Sequence, residues 1–142
     1  MKNLTLLIAV VIGIGVFGQH NPVTFTVNLT GDTLKVDAQI EKGWHLYSAN
    51  LPHPDEGPLS TEFSFTSDQI KIKGDIRESE GITEMDDAFG VEVIYFKDQA
   101  IFYIPVKVAH QEISVTAPLT ISYMVCNDVT CIPFDVAVSV NF

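Results

Sequence analysis

The sequence predicts an all-β protein built from antiparallel strands. Apolar and polar residues alternate in runs along most of the chain, and a period of two is the pattern of a strand with one buried face. After the N-terminal apolar segment, no stretch keeps a helical period over the length of an ordinary helix. About eight or nine short strands separated by turn residues predict an immunoglobulin-like antiparallel β-sandwich.

The N-terminal segment has the pattern of a secretory signal peptide. Lys2 supplies one positive charge, residues 4–17 form an apolar run, and Gly18 is a small residue suited to cleavage. The run is short for a membrane span, which needs about 20 apolar residues. A retained membrane anchor is the alternative. We therefore expect a signal peptide over residues 1–18 and a single exported domain over residues 19–142.

The chain is acidic, with 18 acidic residues against 8 lysines and arginines and a formal net charge of −10 at pH 7. Removal of residues 1–18 takes away Lys2 and no acidic residue, so the mature domain is more acidic still. Such a surface repels the phosphates of nucleic acids and of anionic membranes. Neither is expected as a partner, while a basic protein partner and a simply solvated acidic surface both remain open.

The first strands predicted along the mature chain form a hairpin. Residues 23–29 and 34–40 both alternate, and Thr30-Gly31-Asp32 between them is a turn sequence. A short strand is expected over residues 44–48. Residues 50–58 contain three prolines and a glycine, which predicts a loop.

Further strands are predicted over residues 61–66, 70–76, 91–96, 100–108, 113–125 and 132–140. Pro105 has no N–H to donate to a sheet, so it predicts an edge strand or a bulge. The acidic segment 81–90 is expected to be a loop. Within it, Met85 and Phe89 stand among charged residues and are expected either to fold over a reactive group or to plug the end of the sandwich.

The chain has two cysteines, Cys126 and Cys131, at the facing ends of its last two predicted strands. The alternation places both on the polar side, Cys126 with Met124 and Cys131 with Pro133. Residues facing each other across antiparallel strands have Cα atoms about 4.5–5.5 Å apart, which is within the range that a disulfide tolerates. We therefore expect the two sulfurs to be close enough to bond and to be accessible from solvent.

Two interpretations of the cysteine pair remain open. A loop this short gives a disulfide only about 2 kcal/mol of stabilisation on the chain-entropy model. The pair is therefore either a small structural bridge that closes a hairpin or a reactive dithiol that opens and closes without rebuilding the fold.

No other familiar chemistry is evident in the sequence. The four histidines, His20, His45, His53 and His110, show no metal-ligand spacing with each other or with the cysteines. A glycine-rich phosphate loop and a Gly-x-Ser-x-Gly nucleophile motif are both missing from the sequence. Neither a metal nor an organic cofactor is expected.

Four segments resemble the N-terminal periplasmic domain of the thiol:disulfide interchange protein DsbD. In order they are Gly-Trp-His-Leu-Tyr-Ser at 43–48, Gly-Pro-Leu-Ser-Thr at 57–61, Asp-Asp-Ala-Phe-Gly at 86–90, and Tyr-Met-Val-Cys at 123–126 with Cys-Ile-Pro at 131–133. Each is short, but their order and the ending Cys-x4-Cys-x-Pro make the set specific.

The resemblance implies an immunoglobulin-like domain in the periplasm that shuttles reducing equivalents through its two cysteines. In the family a membrane domain passes electrons to a thioredoxin-like domain, which reduces this one, and this one reduces periplasmic partner proteins. The implied activity is that of a protein-disulfide reductase. The implied partners are thioredoxin-like redox proteins, as donor and as acceptor, and a separate membrane electron transporter. The alternative is a secreted binding or adhesion module with a structural hairpin disulfide.

By resemblance, Cys131 matches the exposed nucleophile of the family and Cys126 matches the resolving thiol. Asp86 and Asp87 match an acidic pair beside the site, and Phe89 falls in the loop that shields the cysteines. The aromatic segment that lines the active-site end matches three further residues, Trp44, His45 and Tyr47. The chain departs from the family in two ways: it has one residue fewer between the cysteines than the best-known members, and Ala88 replaces the first of two aromatic residues in the shielding loop.

Overall fold

The computed structural model describes residues 18–109 and 114–142. The expected signal peptide, apart from Gly18, and His110 lie outside the described residues. No helix in the described part of the chain is long and apolar enough to cross a membrane. The described residues instead form eleven strands.

The strands, in chain order, are β1 (Val23–Thr30), β2 (Thr33–Ile40), β3 (His45–Tyr47), β4 (Glu62–Phe65), β5 (Ile70–Ile72), β6 (Arg77–Glu78), β7 (Ile82–Asp86), β8 (Val91–Phe96), β9 (Gln99–Val108), β10 (Thr116–Cys126) and β11 (Cys131–Asn141). All pairings between them are antiparallel.

The strands make two sheets, as expected for an immunoglobulin-like sandwich. The first sheet has the order β1-β2-β9-β5, with β6 also paired to β9. The second has the order β11-β10-β3-β8-β7, with β4 also paired to β10. The predicted β1–β2 hairpin is confirmed, and Gly31 in its turn has a positive φ of 61°, a conformation that glycine adopts without steric cost.

The main core lies between the two sheets. Alternate residues of β2 and β9 point inward from the first sheet, and alternate residues of β10 do so from the second. The ring of Phe102 lies 5.1 Å from that of Phe63 and 5.8 Å from that of Phe96, between ring centroids, so both sheets contribute to one aromatic cluster. Full burial of each such side chain contributes about 1.5–3 kcal/mol.

A second, smaller core covers the outer face of the second sheet. It consists of five buried residues, Tyr47, Leu51, Val93, Tyr95 and Cys126. Leu51 comes from the loop after β3, which therefore folds back over the sheet. This second core puts a third layer over the end of the sheet that carries the cysteines.

Buried hydrogen bonds hold that loop in place. Thr61 Oγ1 donates to the Tyr47 carbonyl at 2.6 Å, and Thr61 N donates to the Ser48 carbonyl at 3.1 Å. Glu78 accepts hydrogen bonds from Ser48 Oγ and from the backbone N–H of Ala49. Since buried polar groups without partners destabilise a fold, these bonds fix the path of the loop over the sheet.

Two predictions about single segments are wrong. Residues 82–86 form β7, an edge strand paired with β8, and not a loop. Pro105 lies in β9, which runs between β2 and the strands β5 and β6, so the edge alternative predicted for its strand is wrong, while the bulge alternative is not contradicted. Pro105 is accommodated because it stands where the partner of β9 changes from β6 to β5, a place without a continuous ladder.

Candidate redox site

The two cysteines form a disulfide at the end of the β10–β11 hairpin. Cys126 and Cys131 are directly opposite each other, and their Cα atoms are 4.1 Å apart. Asn127 closes the turn between them: its backbone N–H donates to the Thr130 carbonyl, and its Oδ1 accepts from the N–H groups of Val129 and Thr130, each at 2.9 Å. These hydrogen bonds stabilise the turn in addition to the disulfide.

The two sulfurs differ in exposure. Cys131 is exposed, whereas Cys126 retains only 2% of its accessible surface. The expectation that Cys126 points away from the main core is confirmed, because it belongs to the second core. The expectation that it is accessible from solvent is wrong, because Tyr47, Val93 and Tyr95 cover that face. An approaching molecule therefore meets Cys131.

The aromatic segment of β3 lies beside the buried cysteine. His45 is directly opposite Cys126 across the β3–β10 ladder, so the two side chains leave the sheet on the same face. The His45 ring packs 4.9 Å from the ring of Tyr95 and 5.2 Å from that of Tyr47, between centroids. Trp44 differs from its neighbours, because it packs against the main core and not in the cluster around Cys126.

A chain of hydrogen bonds leads from His45 to the β7–β8 hairpin. Tyr47 Oη donates to Asp86 Oδ2 at 3.0 Å, and His45 Nε2 lies 3.2 Å from the same Tyr47 oxygen. An ionised carboxylate only accepts hydrogen bonds, so the single proton of Tyr47 is directed to Asp86. The Tyr47 oxygen then accepts from His45, which places the proton of the neutral imidazole on Nε2.

Burial shifts the pKa values of these side chains. Burial lowers the pKa of His45 below 6.5, although the negative charge of Asp86 acts in the opposite direction. Burial and the hydrogen bond to Asp86 raise the pKa of Tyr47, and burial with a hydrogen bond to Glu84 raises that of Tyr95. At neutral pH the imidazole and both phenols are therefore uncharged.

Asp86 also organises the hairpin turn that carries Phe89. Its Oδ1 accepts from the backbone N–H groups of Ala88 at 2.8 Å and Phe89 at 3.3 Å. Gly90 ends the turn with a positive φ of 72° and donates to the Asp86 carbonyl at 2.7 Å. The Phe89 ring then lies edge-on to Tyr47, at 6.4 Å between centroids. Asp87 is exposed in the turn.

The other apolar residue of this segment does not plug the sandwich. Met85 is 62% exposed on β7, so its expected position at the end of the core is wrong. Phe89 is half-buried and contacts the second core through Tyr47. Of the two side chains, Phe89 is therefore the one that packs against the cluster containing Cys126.

An open cleft of about 470 Å³ lies next to His45. Charged side chains of both signs line it, namely Lys42, Lys97, Glu84, Asp86, Asp98 and Asp128. Among the residues that the structure describes, no group of three or more histidines, cysteines or carboxylates is placed to hold a metal ion.

The comparison with protein families decides where the chain belongs. The model for the N-terminal part of thiol:disulfide interchange protein DsbD matches residues 17–141. The chain belongs to the DsbD N-terminal family. None of the curated proteins matches the chain in sequence.

Solved structures of DsbD N-terminal domains share the fold. The reduced domain from Neisseria meningitidis has a TM-score of 0.54 at 17% identity, over 85% of this chain and 89% of that one. The complex of the Neisseria meningitidis DsbD and PilB N-terminal domains gives a TM-score of 0.56 at 17% identity, over 90% of this chain and 86% of that one. The N-terminal periplasmic domain of ScsB from Proteus mirabilis gives 0.56 at 16% identity, over 83% of this chain and 44% of that one.

Two residues that close the second core over Cys126, Tyr95 and Leu51, were not predicted from the sequence. A signal for this core is present in β8, where Val93 and Tyr95 on one face and Ile94 and Phe96 on the other are all apolar. A strand that is apolar on both faces is covered on both faces. The loop after β3, which contributes Leu51, has no such pattern. Only the folded structure shows that this loop is the one that covers the sheet.

Proposed function

We propose that this domain, over residues 19–142, is a periplasmic thiol–disulfide interchange protein that is delivered by a signal peptide over residues 1–18. It accepts electrons from a thioredoxin-like donor and reduces disulfides of partner proteins through Cys126 and Cys131. The observation that carries the proposal is the asymmetric pair: a disulfide in a hydrogen-bonded turn, with one exposed and one buried cysteine. The match to the DsbD N-terminal family supports it.

The asymmetry assigns a role to each cysteine. A donor thiolate attacks Cys131 Sγ, forms a mixed disulfide, and expels Cys126 as a thiolate that takes up a proton. The second cysteine of the donor then attacks the donor sulfur that is bonded to Cys131. The donor disulfide forms, and Cys131 is released as a thiolate. The reverse sequence reduces a partner: Cys131 attacks the partner disulfide, and Cys126 resolves the mixed disulfide.

The acidic and aromatic residues around the pair guard it. Asp86 holds the turn that keeps Phe89 against Tyr47, and the negative charges of Asp86, Asp87 and Asp128 disfavour a resting thiolate nearby. A docking partner displaces this hairpin and changes the local field. Trp44 and His45 both line the cleft next to this hairpin.

The partners follow from the same chemistry. Regeneration of the reduced pair needs a two-electron donor, and a thioredoxin-like dithiol supplies it by thiol–disulfide exchange. We expect this donor to be supplied in turn by a separate membrane electron transporter. The complex between the DsbD and PilB N-terminal domains of Neisseria meningitidis gives a precedent for docking of a second domain by this fold.

The reduction potential of the Cys126–Cys131 couple tests the proposal. The protein is equilibrated in dithiol buffers of defined potential and the reduced fraction is measured by thiol alkylation and mass spectrometry. A potential above about −300 mV is the expected result, since labile exchange disulfides lie there. A potential below that value indicates a structural bridge and favours the binding or adhesion module.

A further inference from the structure

The residue directly across the ladder from the buried cysteine is a histidine. His45 and Cys126 form the last pair of the β3–β10 ladder, next to the Val125–Leu46 pair of the main core. Directly opposite residues of antiparallel strands have Cβ atoms about 4.5–5.5 Å apart on one face of the sheet. The His45 imidazole and the Cys126 sulfur therefore leave the same face of the sheet side by side. The sulfur belongs to the buried second core, whereas the imidazole is half-buried between that core and the open cleft.

The hydrogen bonds on the far side of the ring fix its tautomer. The hydroxyl of Tyr47 donates its hydrogen bond to Asp86, so the Tyr47 oxygen accepts from His45 Nε2–H. The other ring nitrogen, Nδ1, then carries a free lone pair. Asp86, the last residue in this series of hydrogen bonds, stabilises the positive charge that the ring acquires when Nδ1 takes up a proton.

We infer that His45 is the acid–base residue for Cys126 in thiol–disulfide exchange. This inference rests on the proposed function. When Cys131 is joined to a partner in a mixed disulfide, His45 Nδ1 accepts the proton of the Cys126 thiol. The Cys126 thiolate attacks Cys131 Sγ, the intramolecular disulfide forms, and the partner leaves as a thiolate that is protonated from solvent. In the opposite direction His45 takes up a proton from solvent through the cleft that it lines and passes it to the departing Cys126.

A buried thiol such as that of Cys126 needs a nearby group that can accept its proton. A thiolate is disfavoured in an apolar enclosure, so Cys126 forms one readily only if its proton has an acceptor close by. Solvent has little access, since Cys126 is 2% exposed. The groups whose charges or rings face His45 are Asp86 and Glu84 on β7, Tyr47 on β3, Tyr95 and Lys97 at the end of β8, and Asp128 in the cysteine turn.

The test separates the two sulfurs kinetically. The reduced protein is mixed with one equivalent of the aromatic disulfide 5,5′-dithiobis(2-nitrobenzoate), and released thionitrobenzoate is followed by absorbance. The first phase reports attack by Cys131 and the second reports resolution by Cys126. Rates are measured from about pH 5 to about pH 8, the range in which histidine titrates.

His45→Gln is the informative variant, because a glutamine amide keeps a donor for Tyr47 but accepts no proton. We expect its second phase to slow by about tenfold or more at neutral pH, as is usual when a general base is lost, with the first phase unchanged. In the wild type, the rate of the second phase should fall as the pH drops through the His45 pKa, which lies below 6.5. The bend that this produces in the plot of rate against pH should be missing from the variant. His53→Gln, at an exposed histidine that faces Glu56, is the matched control and should behave as wild type.

Three outcomes overturn the inference. If the second phase of His45→Gln has the wild-type rate and the wild-type dependence on pH, His45 has no role in it. Equal slowing of both phases with an unchanged bend shows a purely structural role. A wild-type protein with no second phase at all shows that the cysteines do not cycle, and then the proposed function fails first. If His45→Gln does not fold, His45→Asn provides the same comparison, because it also lacks a base.

Discussion

Tyr47 Oη donates a 3.0 Å hydrogen bond to Asp86 Oδ2, and this bond ties the short central strand β3 to the β7–β8 hairpin. The same carboxylate accepts two backbone N–H groups of the turn. One side chain therefore positions both the aromatic residue beside Cys126 and the hairpin that holds Phe89.

Asp86→Ala should destabilise the oxidised protein by about 1–2 kcal/mol, because three hydrogen bonds to a carboxylate are lost at a partly exposed position. The adjacent Asp87→Ala provides a control, since Asp87 is exposed and substitutions at such positions usually stay within about 0.5 kcal/mol. Urea unfolding of the two variants measures the difference. Equal stabilities would mean that the carboxylate of Asp86 does not hold the hairpin.

Cys126→Ser should accumulate a mixed disulfide between Cys131 and a thioredoxin-like partner, because the thiol of this protein that resolves it is gone. Cys131→Ser should abolish turnover and accumulate little adduct, because the remaining sulfur is buried. Non-reducing electrophoresis and mass spectrometry of the adducts measure both results. Adduct formation by Cys131→Ser alone would reverse the two roles.

The fold was predictable from alternation wherever a strand has one covered face. The β1–β2 hairpin and the pairing of Cys126 with Cys131 are confirmed for this reason. Strand β7 escaped prediction because four of its five residues are exposed, so the strand has no apolar side to alternate. Its backbone pairing with β8 makes it a strand, and backbone pairing leaves no trace in residue type.

The site was predictable in position but not in exposure. Parity correctly placed Cys126 on the side of the sheet away from the main core. The covering of that side depends on Leu51 and on the hydrogen bonds of Thr61, which are distant in sequence from the cysteines. The roles of Cys131, Cys126, Asp87 and Phe89 in exchange remain predictions.

Protonation of His45 should lower the stability of the protein in mildly acidic solution. Its folded-state pKa lies below the ordinary value of 6.5, so the unfolded chain binds more protons between the two values. The free energy of unfolding should therefore fall as pH drops through that window. Urea unfolding of wild type and His45→Gln at several pH values measures the effect; the free-energy difference between them should change across the window, because all other titrating groups are shared. A constant difference would contradict the lowered pKa.

The second core should protect Cys126 from chemical modification. Val93 is 1% exposed and packs in the cluster with Cys126, so Val93→Ala in a Cys131→Ser background should open space beside the remaining thiol and speed its alkylation. Val106→Ala in the same background is the matched control, since Val106 is equally buried but belongs to the main core.

Both valine substitutions remove the same two methyl groups and should destabilise the protein by a similar amount, about 1–3 kcal/mol. Faster alkylation through global unfolding would therefore be shared by the two variants. Iodoacetamide labelling under native conditions, followed by mass spectrometry, separates the local effect from the global one. If the two variants label Cys126 at equal rates, the cluster around Tyr47 and Tyr95 is not the barrier that keeps this sulfur from solvent, and access to the pair is controlled elsewhere.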